Sequence, residues 1–229
     1  MISASPRGRA EIATAWTLLA AMGAGVVLLG AAMAVYPGGT AMDRGALEHS
    51  FWRNFLCDLT EAVAVNGSPN PLGARLARGA LAAFGVALAC FWWLLPSALD
   101  RRGGRALTLS IRGLGTVSVL ALVAVPLVSG PAHMVAVFAS SIPGLGAAIL
   151  ATVACARARV WPLLLPAAAT VAAGAIDSVL YARSYLLHPR IVVPALPAFQ
   201  RLALLAMLAW MGVAAARVLL SRNMPSARL

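Results

Sequence analysis

Residues 12–35 read IATAWTLLAAMGAGVVLLGAAMAV, a run without a single charge, and residues 36–71 read YPGGTAMDRGALEHSFWRNFLCDLTEAVAVNGSPNP. The first run exceeds the roughly 20 apolar residues that carry a helix across a bilayer. The second is a long polar island holding Asp43, Glu48, Asp58 and Glu61, four of the seven acids in the chain. Five further apolar runs follow, at about 79–99, 113–129, 133–156, 162–182 and 197–220. Together they predict an all-α integral membrane bundle of six transmembrane helices, with residues 1–229 forming a single transmembrane domain.

The whole chain agrees with that reading. It is 61% hydrophobic and 11% charged over 229 residues, and its mean hydropathy of +0.86 excludes a surface facing water all round. All 18 basic residues are Arg, and the formal charge is +11. In a soluble protein such a balance would suggest nucleic acid; here the Arg flank the spans, so no nucleic acid is expected and anionic lipid headgroups are the natural partners. With the amino terminus inside, eleven Arg fall on the cytoplasmic side and seven, on longer segments, on the other. The expectation is a protein integral to the cytoplasmic membrane with both termini in the cytoplasm. Arg7 and Arg9, and the small-x-small sequence Ala32-Met33-Ala34 that closes the first run, imitate a secretory signal. The run is too long for a signal core of about 7–15 residues, which favours a retained first span.

Cys57, Cys90 and Cys155 show no CxxC spacing, so neither a disulfide framework nor haem attachment is expected. Small residues such as Gly23, Gly25, Gly30, Gly144 and Gly146 suit close helix contacts, within the bundle or to a membrane-protein partner or second copy. The tryptophans Trp92, Trp93, Trp161 and Trp210 read as lipid or interface anchors.

Within the polar island, Phe51, Phe55, Leu59 and Ala62 recur every three or four positions. That periodicity predicts an amphipathic interfacial helix over about 47–65, stopped by Asn66-Gly67 and by Pro69 and Pro71. Ser50, Asn54, Asp58 and Glu61 would form its acidic edge. Two spans offer partners. His133 opens the fourth on a face shared with Ser140 and Gly144. Thr170, Gly174, Asp177, Tyr181 and Ser184 make a polar stripe along the fifth. Asp177 is the one acid inside a predicted span, where a charge costs a few kcal/mol and implies an interior partner or a watery cavity.

His49, His133 and His188 all map to the same side as most of the acids. Imidazole and carboxylate together can exchange protons or bind zinc or a similar divalent ion, with His49, His133, His188 and Asp58 as candidate ligands. No HExxH or paired Cys/His spacing supports a metal. A Ser-His-Asp set from Ser140 or Ser141, His133 and Asp58 or Asp177 lacks a nucleophile elbow. No residue is singled out as catalytic, and enzyme activity stays open.

YPGG after the first span, HSFWRNFLCDL, NGSPNP before the second span, and a span opening at His133 resemble the six-span bacterial and archaeal membrane-protein family named domain of unknown function 998. Family members carry Asp-Leu-Gly where this chain has Asp58-Leu59-Thr60. The resemblance implies a six-span fold and importance for Asp58 and His133, with no chemistry attached. The expectation is an outward-facing polar pocket formed by Asn54, Asp58, Glu61, His133, Asp177 and Tyr181 that binds a small polar ligand, a proton or a lipid headgroup. Two alternatives stand beside it: a metal-assisted membrane hydrolase acting on a lipid, and an accessory subunit of a larger membrane complex.

Overall fold

The computed structural model describes residues 6–99, 104–128, 130–187 and 193–223. Its helices are α1 (Pro6–Ala34), α2 (Pro71–Ala98), α3 (Gly104–Ala124), α4 (Gly130–Arg157), α5 (Trp161–Ala182) and α6 (Leu196–Asn223). Six segments of 24 to 28 residues are long and apolar enough to cross a membrane. At 1.5 Å per residue such a segment is about 36–42 Å long, more than the roughly 30 Å of hydrocarbon, so the spans tilt or protrude. This is an all-α, multi-pass membrane architecture; among the described residues there is no strand, only an isolated bridge between Val63 and Pro69.

Each helix packs on its neighbour in the chain, and α6 closes the ring by lying against α1 and α2. The main core draws buried residues from all six helices, and within it Phe91 and Trp92 of α2 and Trp210 of α6 meet edge to face with centroids 4.8 to 6.0 Å apart. Trp92 and Trp210 are therefore core residues rather than lipid anchors, while Trp93 and Trp161 are each 61% exposed. Successive helical positions differ by about 100°, so only one tryptophan of the pair can face inward. Gly115 on α3 makes room for it: a Cβ there would overlap the Trp92 ring.

The polar island differs from its periodicity. Residues 36–70 form turns with one short 3-10 segment, Cys57–Thr60, in place of an amphipathic helix over 47–65. Asp58 takes a backbone N–H group that a helix would need, Phe55 N donating to Asp58 Oδ2 at 2.8 Å, and Ser50 N donates to Asn54 Oδ1 at 2.9 Å. Short polar side chains compete with helical hydrogen bonding in this way. Gly39, at φ +84°, lies so close to the backbone of Asn66 that no side chain fits. Tyr36 Oη accepts from Val65 N, Asn66 Nδ2 donates to Pro37 O, and Asn70 Nδ2 donates to Glu61 O. Leu59 is buried with Tyr36, Ala32, Ala64 and Ala77, and Phe55 with Tyr181 and Leu196. The island is thus a folded cap seated on one end of the bundle.

Candidate functional site

Under the cap lies a cavity of about 450 Å³, lined by Phe55, Cys57, Asp58 and Glu61 from the loop, His133 and Met134 from α4, Tyr181 and Tyr185 at the end of α5, and Gln200 from α6. Asp58, Glu61, His133 and Tyr181 are thereby brought to one space from three parts of the chain. Asp58 is oriented by Asn54, whose Nδ2 donates to Asp58 Oδ2 at 3.1 Å and to Gly39 O at 2.7 Å. Asn54 is fully buried and acts as a brace rather than a wall of the cavity. His133 Nδ1 donates to Val125 O at 3.1 Å, which in the neutral ring makes Nε2 the acceptor nitrogen. The rings of Tyr181 and Tyr185 also line the cavity, with their centroids 4.5 Å apart.

Burial pushes the Asp58 carboxyl above the usual carboxylate range; the hydrogen bonds from Asn54 and Phe55 and the charge of Arg201 pull it partly back. The Cys57 thiol is pushed up to about 12, chiefly by burial and further by Asp58 and Glu61, so it is a protonated wall and not a nucleophile at neutral pH.

Arg201 belongs to this site, although its sequence position suggested only a flanking arginine. It is fully buried in the first turns of α6, its Nη2 donates to the carbonyl of Asn54 at 3.0 Å, and its guanidinium carbon lies 5.4 Å from the Phe51 ring centroid. Beside it, Gln200 Oε1 accepts from Leu56 N at 3.3 Å. The one available sequence signal was a polar Gln-Arg pair inside the sixth apolar run, where polar groups face protein or a cavity.

Asp177, from the expected pocket set, and His49, from the candidate metal ligands, do not line this cavity. Asp177 is not in this cavity but in a separate one deeper in the bundle, because four residues and one helical turn place it about 6 Å below Tyr181. His49 is turned away, edge-on to Tyr36 at 5.8 Å; burial, and then the charge of Arg201, lower its pKa to about 4. His188 lies outside the described residues. Among the described residues no three His, Cys, Asp or Glu side chains converge on a common point. His49, His133 and Asp58 therefore do not assemble the ligand set that zinc requires, and the hydrolase alternative has no metal centre among these residues.

No family model matches the chain, and no curated protein and no solved structure is similar enough to count as a match.

Proposed function

We propose that the cavity beneath the cap binds a small ligand through a positively charged ammonium group, carried either by a lipid headgroup or by a soluble amine. The observation that carries this reading is the composition of the cavity wall: Asp58 and Glu61 share the lining with Tyr181 and Tyr185, with no Arg among the lining residues. Carboxylates and aromatic faces both attract a cation, and the aromatic contribution grows as water is excluded. Gln200 and His133 add acceptors that fix orientation. Arg201 stays behind the wall, where it orders Asn54 and moderates the charge of Asp58.

The Arg distribution supports placing both termini in the cytoplasm, so that the cap and its cavity face the opposite side of the cytoplasmic membrane. An introduced cysteine at Val63, exposed on the cap, tests this: a membrane-impermeant maleimide added to intact cells should label it, and labelling only after lysis reverses the orientation. Membership in the six-span family belongs to the same reading. It is supported by the fact that Tyr36, Asn54, Asp58, Asn70 and His133, which lie in the resembling segments, are the residues that build the cap and line or brace the cavity.

Binding is tested by native mass spectrometry of the detergent-purified chain with added phosphatidylethanolamine, phosphatidylglycerol or free ethanolamine. Preferential retention of phosphatidylethanolamine assigns a headgroup, and retention of ethanolamine alone a soluble amine. Equal retention of phosphatidylglycerol overturns the reading.

A further inference from the structure

Deeper in the bundle a second cavity, of about 230 Å³, is walled by α2, α3, α4, α5 and α6. Ser118 of α3, Ser140 and Ser141 of α4, and Asp177 of α5 all line it. The buried Oδ1 of Asp177 has no hydrogen-bond partner among the described residues. Thr170 and Ser178, on the same wall, donate their hydroxyl protons to carbonyls one turn back, to Pro166 O and Gly174 O at 2.8 Å each, and so present only oxygen lone pairs. Among the described residues no hydrogen bond engages the hydroxyls of Ser118, Ser140 and Ser141.

This polar convergence is built by the helices. Gly144 lets α3 and α4 close on each other there, since a Cβ at that position would stand 2.7 Å from Ser118 Oγ. Pro143, inside α4, cannot donate to the carbonyl of Ala139, which leaves a further backbone oxygen without its usual helical donor beside Ser140.

A bare carboxylate at this depth costs several kcal/mol unless a partner neutralises it. Among the described residues no partner engages Asp177 Oδ1, and apart from the indole N–H of Trp92, which can only donate, the polar side chains on the wall are oxygen groups. Oxygen ligands select hard cations. A single carboxylate balances a single positive charge, which disfavours a divalent ion. The space is several times the roughly 30 Å³ share of a water molecule, so it holds an ion with part of its hydration shell, room that a proton does not require.

We propose that this cavity is a site for a small monovalent cation, sodium in the first instance, held by the Asp177 carboxylate and the hydroxyl oxygens of Ser118, Ser140 and Ser141. The site is independent of the ammonium reading above, although the two cavities stack along α4 and α5. His133 and Ser140 are seven residues apart, about 10 Å along the helix, so the acid-lined upper cavity lies at the approach to the lower one.

The test is equilibrium binding of sodium-22 to the full chain in detergent, with folding of each variant checked by size-exclusion chromatography. Saturable binding to the wild type is expected, at least about tenfold weaker in Asp177→Asn, a near-isosteric change. Ser141→Ala should weaken binding less, which keeps the proposal exposed to refutation if Asp177→Asn misfolds. The double variant Asp58→Asn/Glu61→Gln should bind sodium as the wild type does, so that the two sites succeed or fail separately. Absence of saturable sodium binding to the wild type overturns the proposal. So does undiminished binding to folded Asp177→Asn, or displacement of sodium by an equal concentration of calcium.

Discussion

Arg201 Nη2 donates to the backbone carbonyl of Asn54 at 3.0 Å, and both residues are completely buried. The bond joins the cap to the start of α6 across 147 positions of sequence. On the cap side, the Asn54 side chain goes on to hold Asp58 and Gly39, so one guanidinium braces the carboxylate that faces the cavity. Exchange to Arg201→Gln should loosen the cap while leaving the helices assembled. Loss of a buried charged donor is worth about 2 kcal/mol. Limited proteolysis in detergent reads this as faster cleavage within residues 41–53, with the six spans still protected.

The neutral state of His49 gives the cap a pH dependence with a definite sign. Its pKa in the folded protein is lowered from 6.5 to about 4. As pH falls below 6.5 the unfolded cap gains a proton that the folded cap refuses, so cap stability declines until about pH 4 and then levels off. His49→Phe should flatten protease resistance across that window. An unchanged pH profile in this variant would assign the dependence to other groups.

Cys57 and Val63 separate thiol chemistry from loop exposure. With its thiol pushed up to about 12, Cys57 should react with maleimide far more slowly at pH 7.5 than the engineered thiol of Val63→Cys, a position 60% exposed. Raising the pH to 9 should leave that ranking intact. Comparable rates would mean that the cap opens readily.

Two glycines of one helix should answer differently to the same substitution. A Cβ at Gly115 collides with Trp92, whereas at Gly113 it meets nothing within 4 Å. Gly115→Ala should cost about 1–3 kcal/mol by overpacking, and Gly113→Ala should be neutral or slightly stabilising. Melting temperatures of the two purified variants decide it.

The helices were legible because the bilayer imposes a length and polarity rule on each span separately; the run at residues 12–35 announces α1 without knowledge of any other segment. Asp177 was legible as a polar group facing inward for the same reason, but its cavity was not, since that depends on Ser118 and Gly144 of other helices. Phe51, Phe55 and Leu59 gave a helical period to a segment that is not helical. The side chains of Asn54 and Asp58 turn inward and occupy backbone donors, a competition that apolar spacing does not register. In sequence Arg201 reads as a flanking charge, because the rule for spans sees only its distance from the end of the run, not the Asn54 carbonyl across the fold. The same holds for Trp92 and Trp210, which read as interface anchors in sequence and are buried in the fold against Gly115 and Phe91.

The central claim, that Asp58 and Glu61 present the cap cavity to an ammonium group, is tested most directly by native mass spectrometry of the wild type and the Asp58→Asn/Glu61→Gln variant with phosphatidylethanolamine, phosphatidylglycerol and ethanolamine as probes. The account expects an amine-bearing probe to be retained by the wild type in preference to phosphatidylglycerol, and its affinity to fall at least about tenfold in the variant, the loss of roughly one charge-assisted contact. Equal retention of the amine-bearing probes by wild type and variant, or a wild-type preference for phosphatidylglycerol, would contradict it.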